Sequence, residues 1–215
     1  MPTGYEKIYQ ALLPKLAEVD IIEQAKRLGL APEGQASAKV DFLGRTYLYS
    51  TEGVDVIDGG EPAPINNRSL LIHYILAEGG IEPRFSFVPI NRMTGTIEGQ
   101  GESDEAFMGD YLIKETEGKH DVFAAAAEAM RGEYIGKHLG GHCWQFMVLP
   151  KMPMRMIFFE ADEEFPADIQ VLFDETAPYY MDFECSGFLS EGALRELLFQ
   201  VQKQLGREET AYLLP

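Results

Sequence analysis

The stretch that most constrains the fold is Met154–Asp174, which reads MRMIFFEADEEFPADIQVLFD. It holds two apolar runs with β-branched and aromatic residues, Met154–Phe159 and Ile169–Phe173, on either side of an acidic segment. Short apolar runs bounded by turn residues are typical of β-strands. We therefore predict two strands joined by an acidic turn, which carries Glu160, Asp162, Glu163, Glu164 and Asp168.

Three further parts of the chain also have strand character. Between residues 39 and 57, apolar residues alternate with others and glycines punctuate the pattern, which predicts short antiparallel strands joined by tight turns. His142–Leu149 (HCWQFMVL) predicts a buried strand. Arg84–Ile90 predicts a short strand or an irregular segment that Pro89 ends, because proline cannot donate to a ladder.

Apolar residues at helical spacing over residues 4–28 predict a helical N-terminal region. Pro14 interrupts the pattern, and proline removes a helical hydrogen bond. Asp20 followed by Glu23 is typical of a helix N-terminus. We expect a kink or a break between two helices there, with Gly29 closing the second.

Later helices are predicted over Ser69–Ala77, capped by Asn66 or Asn67, and over Leu189–Leu205. The glycine pair at 140–141 predicts the end of a middle helical region, just before the strand at His142.

These elements do not alternate as β-α-β, which favours an α+β fold with a mostly antiparallel sheet and helices packed against it. We predict one domain over residues 1–215, with the helices of 5–28 and 189–205 against the sheet. The sheet is expected to contain the segments 142–149, 154–160 and 168–173.

The charge of the chain limits its partners. It has 18 basic and 35 acidic side chains and a net charge of -17. Nucleic-acid binding needs basic side chains that neutralise phosphates, and anionic membranes also attract basic segments. We therefore expect no nucleic acid and no membrane as partner, while a cationic partner or a metal ion remains open.

No apolar run approaches the ~18 residues that span a bilayer, and the N-terminus has no secretory pattern. The two cysteines, Cys143 and Cys185, are too few for a four-cysteine metal site and a poor staple for a chain this long. These features predict a cytoplasmic protein with reduced thiols.

Carboxylates bunched in one turn can bind Ca²⁺ or Mg²⁺, and close carboxylates can raise one pKa for general acid chemistry. Asp162, Glu163 and Glu164 are the candidate residues for such chemistry. The alternative is a solvated turn between two strands, with Phe165 tucked in and Pro166 fixing the corner. The spacing matches no calcium loop, which favours the solvated turn.

A metal site could form from His138, His142 and Cys143, since two histidines four residues apart can share zinc with a thiolate. The glycine pair between the histidines would instead place His138 on a helix and His142 on the next strand. His73, in an apolar helix, is either a general base or a core histidine. The core interpretation is favoured for His73, and likewise Cys143 reads better as a small buried hydrophobe.

The segments LLIHYILAEGG (70–80), HLGG (138–141), LPKMP (149–153) and EADEEFPADIQVLFDETAPYY (160–180) together resemble a prokaryotic domain of unknown function. That family occurs widely in anaerobic bacteria and archaea and is sometimes fused to a four-cysteine iron–sulfur cluster domain. The resemblance implies a cytoplasmic protein of an anaerobe, accessory to an iron–sulfur or corrinoid protein. It carries over no catalytic residue, since the family has no established activity.

Three functions follow as hypotheses. The leading one is a binding or accessory module that presents an acidic surface to a protein or a small cofactor. The second is a metal-assisted hydrolase or transferase that uses Asp162, Glu163 and Glu164 with His73 or His142. The third is a thiol sensor that uses both cysteines.

Overall fold

The computed structural model describes residues 4–59, 63–93 and 104–207. Within these ranges the chain forms an α+β fold with two antiparallel sheets, as the order of elements predicted. The helices are α1 (Gly4–Ala17), α2 (Ile21–Leu28), α3 (Ile65–Ile75), α4 (Ile90–Met93), α5 (Asp104–Thr116), α6 (His120–Ala129) and α7 (Phe183–Gln204). None of them is long and apolar enough to cross a membrane.

The four-stranded sheet follows the chain order, with each strand antiparallel to the next. Its strands are β1 (Ala31–Glu33), β2 (Ser37–Phe42), β3 (Arg45–Ser50) and β4 (Gly53–Val56). Leu43 and Gly44 join β2 to β3 with φ angles of 48° and 79°, which is the geometry of a two-residue hairpin turn. The alternating pattern over residues 39–57 therefore predicted β2, β3 and β4 correctly, whereas β1 lies before that pattern and was not predicted.

The five-stranded sheet has the order β5-β9-β8-β7-β6, and every neighbouring pair is antiparallel. Its strands are β5 (Phe87–Val88), β6 (Glu133–His138), β7 (Gly141–Leu149), β8 (Met152–Phe159) and β9 (Asp168–Asp174). The three segments expected to share a sheet are thus its three central strands. β5 ends immediately before Pro89, as predicted.

The N-terminal helices break where the capping signals indicated. Asp20 lies outside α2 and its carboxylate accepts the Glu23 N–H at 2.9 Å, while Gly29 ends the helix at a φ of 75°. Pro14 is accommodated in the last turn of α1. The expected packing of these two helices on the sheet of residues 142–173 is wrong, however, because α1 lies against α3 and α2 lies against the four-stranded sheet.

The expected helix end at the glycine pair 140–141 is also wrong, because α6 stops at Ala129 and β6 intervenes. Leu139 and Gly140, with φ angles of 52° and 98°, form the hairpin turn between β6 and β7. A positive-φ glycine serves a hairpin as well as a helix end, so the residue type did not distinguish them.

The helix termini were also misplaced at two positions. Helix α3 has Pro64 at its N-cap, without a side-chain cap, so the predicted asparagine cap is wrong. Helix α7 begins six residues earlier than predicted, because the Asp182 carboxylate accepts the Cys185 N–H at 2.7 Å and caps an earlier first turn.

One hydrophobic core connects both sheets and the helices between them. The strands of the five-stranded sheet turn alternate residues to its two faces, so Trp144 and Phe158 pack inward on α6 through Phe123. Cys143, Ile157 and Leu172 form a second, smaller cluster on the outer face. The number of domains over residues 1–215 stays a prediction.

Strands β7 and β8 approach each other closely at Gly141, at the end of the sheet. A Cβ there would lie 2.6 Å from Cγ2 of Ile157 and 2.8 Å from the carbonyl oxygen of Phe158. We expect Gly141→Ala to lower the free energy of unfolding by about 1–3 kcal/mol in urea titrations, as overpacking does. Gly187→Ala is the control, because nothing lies within 4 Å of that Cβ in α7 and alanine favours helix. Equal stability of the two variants would contradict this packing.

Candidate functional site

The acidic turn and the β6–β7 hairpin turn lie at the same end of the five-stranded sheet. The register that pairs His142 with Phe158 and Phe159 with Asp168 places them side by side. A cavity of about 870 Å³ opens between these turns and the middle of α5. We call this cavity the acidic groove; it is lined by Asp110, Ile113, Leu139, Gly140, His142, Phe159, Glu160, Ala161, Asp162, Phe165, Pro166, Ala167, Asp168 and Gln170.

Asp162 organises the acidic turn. Its carboxylate accepts the N–H groups of Glu164 at 2.8 Å and Phe165 at 2.7 Å, and these two hydrogen bonds lower its pKa. The Asp162 N–H in turn donates to the Phe165 carbonyl at 2.9 Å. The turn is therefore held by hydrogen bonds between Asp162 and the backbone of the turn itself, and Asp162 is ionised at neutral pH.

The side chains of the acidic turn divide into two sets. Glu160, Asp162 and Asp168 line the groove, whereas Glu163 and Glu164 do not. Phe165 is 66% exposed, so the expectation that it is tucked into the turn was wrong.

His142 lines the acidic groove. Its Nδ1 is 2.9 Å from the Tyr134 hydroxyl, and its Nε2 is 3.8 Å from a carboxylate oxygen of Glu160. The His120 ring lies against it, with 4.1 Å between the ring centroids. Burial, His120 and Lys137 lower the pKa of His142, while Glu160 acts in the opposite direction. The imidazole is therefore neutral at pH 7.

Two contacts orient the His142 ring. The Tyr134 hydroxyl and Nδ1 form one hydrogen bond, whose donor depends on the tautomer of the ring. The Glu160 carboxylate faces Nε2 at 3.8 Å, which is longer than a hydrogen bond. Since Tyr134 occupies Nδ1 in either tautomer, Nε2 is the nitrogen left for a ligand.

The structure does not bring the other predicted residues to the groove. His73 lies on α3, where burial lowers its pKa and the charges of Asp182, Lys15 and Glu184 have smaller effects. His138 is exposed at the end of β6, not on a helix. Cys143 follows His142 on β7 and therefore points to the opposite face of the sheet, into the outer cluster.

The predicted metal ligands are not assembled into one site within the described part of the chain. Among the described residues, no three His, Cys, Asp or Glu side chains are grouped so that they could hold a metal ion. His138, His142 and Cys143 are separated by the alternation of the strand and by the hairpin turn. Asp162 and His142 share the groove, and this pair is what remains of the predicted catalytic set.

Sequence reasoning missed three contributors to the site, namely Asp110 on α5, His120 on α6 and Tyr134 on β6. The Nε2 of His120 is buried without a hydrogen-bond partner among the described residues. Tyr134 pairs with Trp144 across the β6–β7 ladder, next to His142. Recognition of a hairpin turn at the glycine pair would have predicted that Tyr134 lies near His142 across the β6–β7 ladder. The positions of Asp110 and His120 depend instead on how α5 and α6 pack, which no local sequence pattern shows.

Both thiols are buried and neither forms a disulfide. Burial raises the pKa of Cys143. Burial, together with the Asp182 carboxylate, raises the pKa of Cys185 to about 12. Since the thiolate is the reactive form, this environment disfavours reaction at either cysteine.

The molecule described so far is an α+β protein with an acidic groove at one end of an antiparallel sheet. Residues 20–196 match the model of a family described as a domain of unknown function (DUF3786), so the chain belongs to that family. The match includes every residue that lines the acidic groove. No curated protein and no solved structure matches the chain. The resemblance in the sequence thus led to an uncharacterised family, while the anaerobic origin and the iron–sulfur fusion stay predictions.

The pKa of His142 can be measured by NMR titration of its ring protons. We expect a value below the usual ~6.5. Because the folded value is lower than the unfolded one, the contribution of His142 to stability is complete above pH ~6.5 and is lost as the pH falls through the folded value. As the pH falls below ~6.5, wild type should therefore lose stability relative to His142→Gln, which has no imidazole to protonate. Glu160→Gln should lower the pKa of His142 further, and an increase would contradict the geometry.

The thiols can be tested with an aromatic disulfide reagent at pH 8. We expect Cys143 and Cys185 to react only at the rate of unfolding, because both are buried with raised pKa values. Single serine variants assign each reaction, and unfolded protein in urea is the positive control. Rapid stoichiometric reaction of the native protein would instead support the thiol-sensor hypothesis.

Proposed function

We propose that this protein is a binding module whose acidic groove holds a positively charged group of another molecule. The observation that carries the proposal is the charge of the lining. Four carboxylates contribute to one cavity, and the described residues that line it include no lysine or arginine. They are Asp110, Glu160, Asp162 and Asp168. The net charge of -17 adds a long-range attraction for cations.

Apolar side chains in the same cavity narrow the kind of group that fits. Leu139 is 70% exposed and Phe165 is 66% exposed, and both line the groove beside the carboxylates. Large exposed apolar residues next to charges are typical of interaction sites. A lysine or arginine side chain, with an apolar stem and a charged end, matches both features.

The second candidate function is a hydrolase or transferase that uses Asp162 and His142. The shared groove favours it, since the two side chains line one cavity. Against it stands the absence of Glu163, Glu164 and His73 from the lining, which leaves two of the five predicted side chains in the groove. Binding therefore explains the arrangement with fewer requirements than catalysis does. An iron–sulfur or corrinoid protein as partner and a cytoplasmic location stay predictions.

Binding can be tested with a decalysine peptide, using the fluorescence of the single tryptophan, Trp144, which lies next to His142. We expect Glu160→Gln/Asp168→Asn to weaken binding roughly tenfold, since exposed ion pairs contribute up to ~1 kcal/mol each. The matched control is Glu163→Gln/Glu164→Gln, which removes the same charge from the same turn outside the lining.

The outcomes separate the hypotheses. Equal loss in both double variants would show that binding depends on overall charge and not on the groove, and would contradict the proposal, as would no binding at all. Catalytic turnover that disappears in Asp162→Asn and His142→Gln would favour the second candidate.

A further inference from the structure

In the part of the chain that the structure describes, one edge of strand β9 is mostly unpaired. Its partner β5 pairs only with its last two residues, in the register Phe87 with Asp174 and Val88 with Phe173. Pro89 then ends the pairing and the chain turns into α4, where the Arg92 N–H donates to the Pro89 carbonyl. The first five residues of β9, 168–172, therefore have β8 on one side and no paired strand among the described residues on the other.

The backbone groups at this edge can be assigned from the ladder. The Glu175 N–H donates to the Ser86 carbonyl at 2.8 Å, so every second residue of β9, including Ile169 and Val171, turns its backbone away from β8. The Ile169 N–H is taken by the carboxylate of Asp168 at 2.8 Å. The Val171 N–H and carbonyl have no backbone hydrogen-bond partner among the described residues.

A cavity of about 340 Å³ lies along this edge; we call it the edge trough. Its lining includes Ile169 and Val171 on the β9 side and Pro89 and Ile90 on the opposite side. Asp110, Ile113, Asp168 and Gln170 line both this trough and the acidic groove. The open backbone groups and the carboxylates therefore belong to one continuous surface.

The other edge of the sheet is protected in the usual way. Strand β6 has a register shift between Tyr134 and Gly136, and Gly136 has a φ of 94°. Bulges and charged residues at an edge, such as Lys137, oppose pairing with another chain. The pairing of β9 with β8 shows no such irregularity, so the ladder could continue there.

We infer that the open edge of β9 accepts an extended, basic peptide of a partner protein as an added strand. This inference rests on the proposed function, since the basic side chains of the peptide enter the acidic groove. Backbone hydrogen bonds to Val171 supply sequence-independent affinity, and the carboxylates select the charge. Alternate peptide side chains point to opposite faces, so a lysine at every second position fits.

The experiment compares three peptides of equal charge: acetyl-(Lys-Val)4-amide and two forms that are N-methylated either at all lysines or at all valines. In an extended peptide the lysine N–H groups point to one edge and the valine N–H groups to the other, so each modified form loses the donors of only one edge. We expect one form to bind at least tenfold more weakly than the unmodified peptide and the other to bind like it. Hydrogen exchange of the Val171 amide should slow in the complex, while that of Phe173, already at the β5 ladder, should not change.

The outcomes distinguish the inference from the proposed function. If both N-methylated forms bind as the unmodified peptide does and still respond to Glu160→Gln/Asp168→Asn, the added strand is wrong and the cation site stands. If no peptide binds, both are wrong. Protection of the Val171 amide in the free protein beyond that of Leu172 would assign the edge to another occupant, such as a second copy of the chain, and would overturn the inference.

Discussion

The register of β8 between β7 and β9 is the constraint on which the groove depends. It sets His142 opposite Phe158 and Asp168 opposite Phe159, so the imidazole and the acidic turn come to the same end of the sheet. A slip of one residue would turn every side chain of a strand to the other face. Trp144 would then leave the core and Cys143 would enter it. Burial of the inner face thus fixes the geometry of the site.

A second constraint, the buried carboxylate of Asp174, defines where β5 can pair. It accepts the N–H groups of Arg84, Ser86 and Thr176 and the Thr176 hydroxyl, at distances from 2.6 to 3.2 Å. A fully buried carboxylate requires such partners, and here they tie the segment before β5 to the end of β9. β5 is thereby held at one end of its neighbour, and the rest of the β9 edge has no paired strand within residues 4–59, 63–93 and 104–207.

The sequence predicted those features whose causes are local. Asp20 and Gly29 mark the ends of α2 by their own hydrogen bonds and φ angles. Short apolar runs bounded by turn residues identified the strands that form the groove. The glycine pair at 140–141 was misread because a helix end and a hairpin turn both need a positive φ. Asp110 and His120 join the site only through the packing of α5 and α6, which no local pattern encodes. The acidic turn was found as a charged segment, but which of its carboxylates line a cavity depends on the fold of the turn around Asp162.

The high negative charge and the open edge of β9 are best understood together. An unpaired edge strand is a template for aggregation, and proteins usually protect it by bulges or charges. Here the carboxylates of Asp168, Asp110 and the acidic turn stand beside the edge, and every copy of the chain carries them. Two copies that paired edge to edge would bring these carboxylates together, which like-charge repulsion opposes. A basic strand meets the opposite field at the same place. The same carboxylates therefore disfavour self-association and favour a partner of opposite charge, which gives the acidity of this end of the sheet a structural reason beyond solubility.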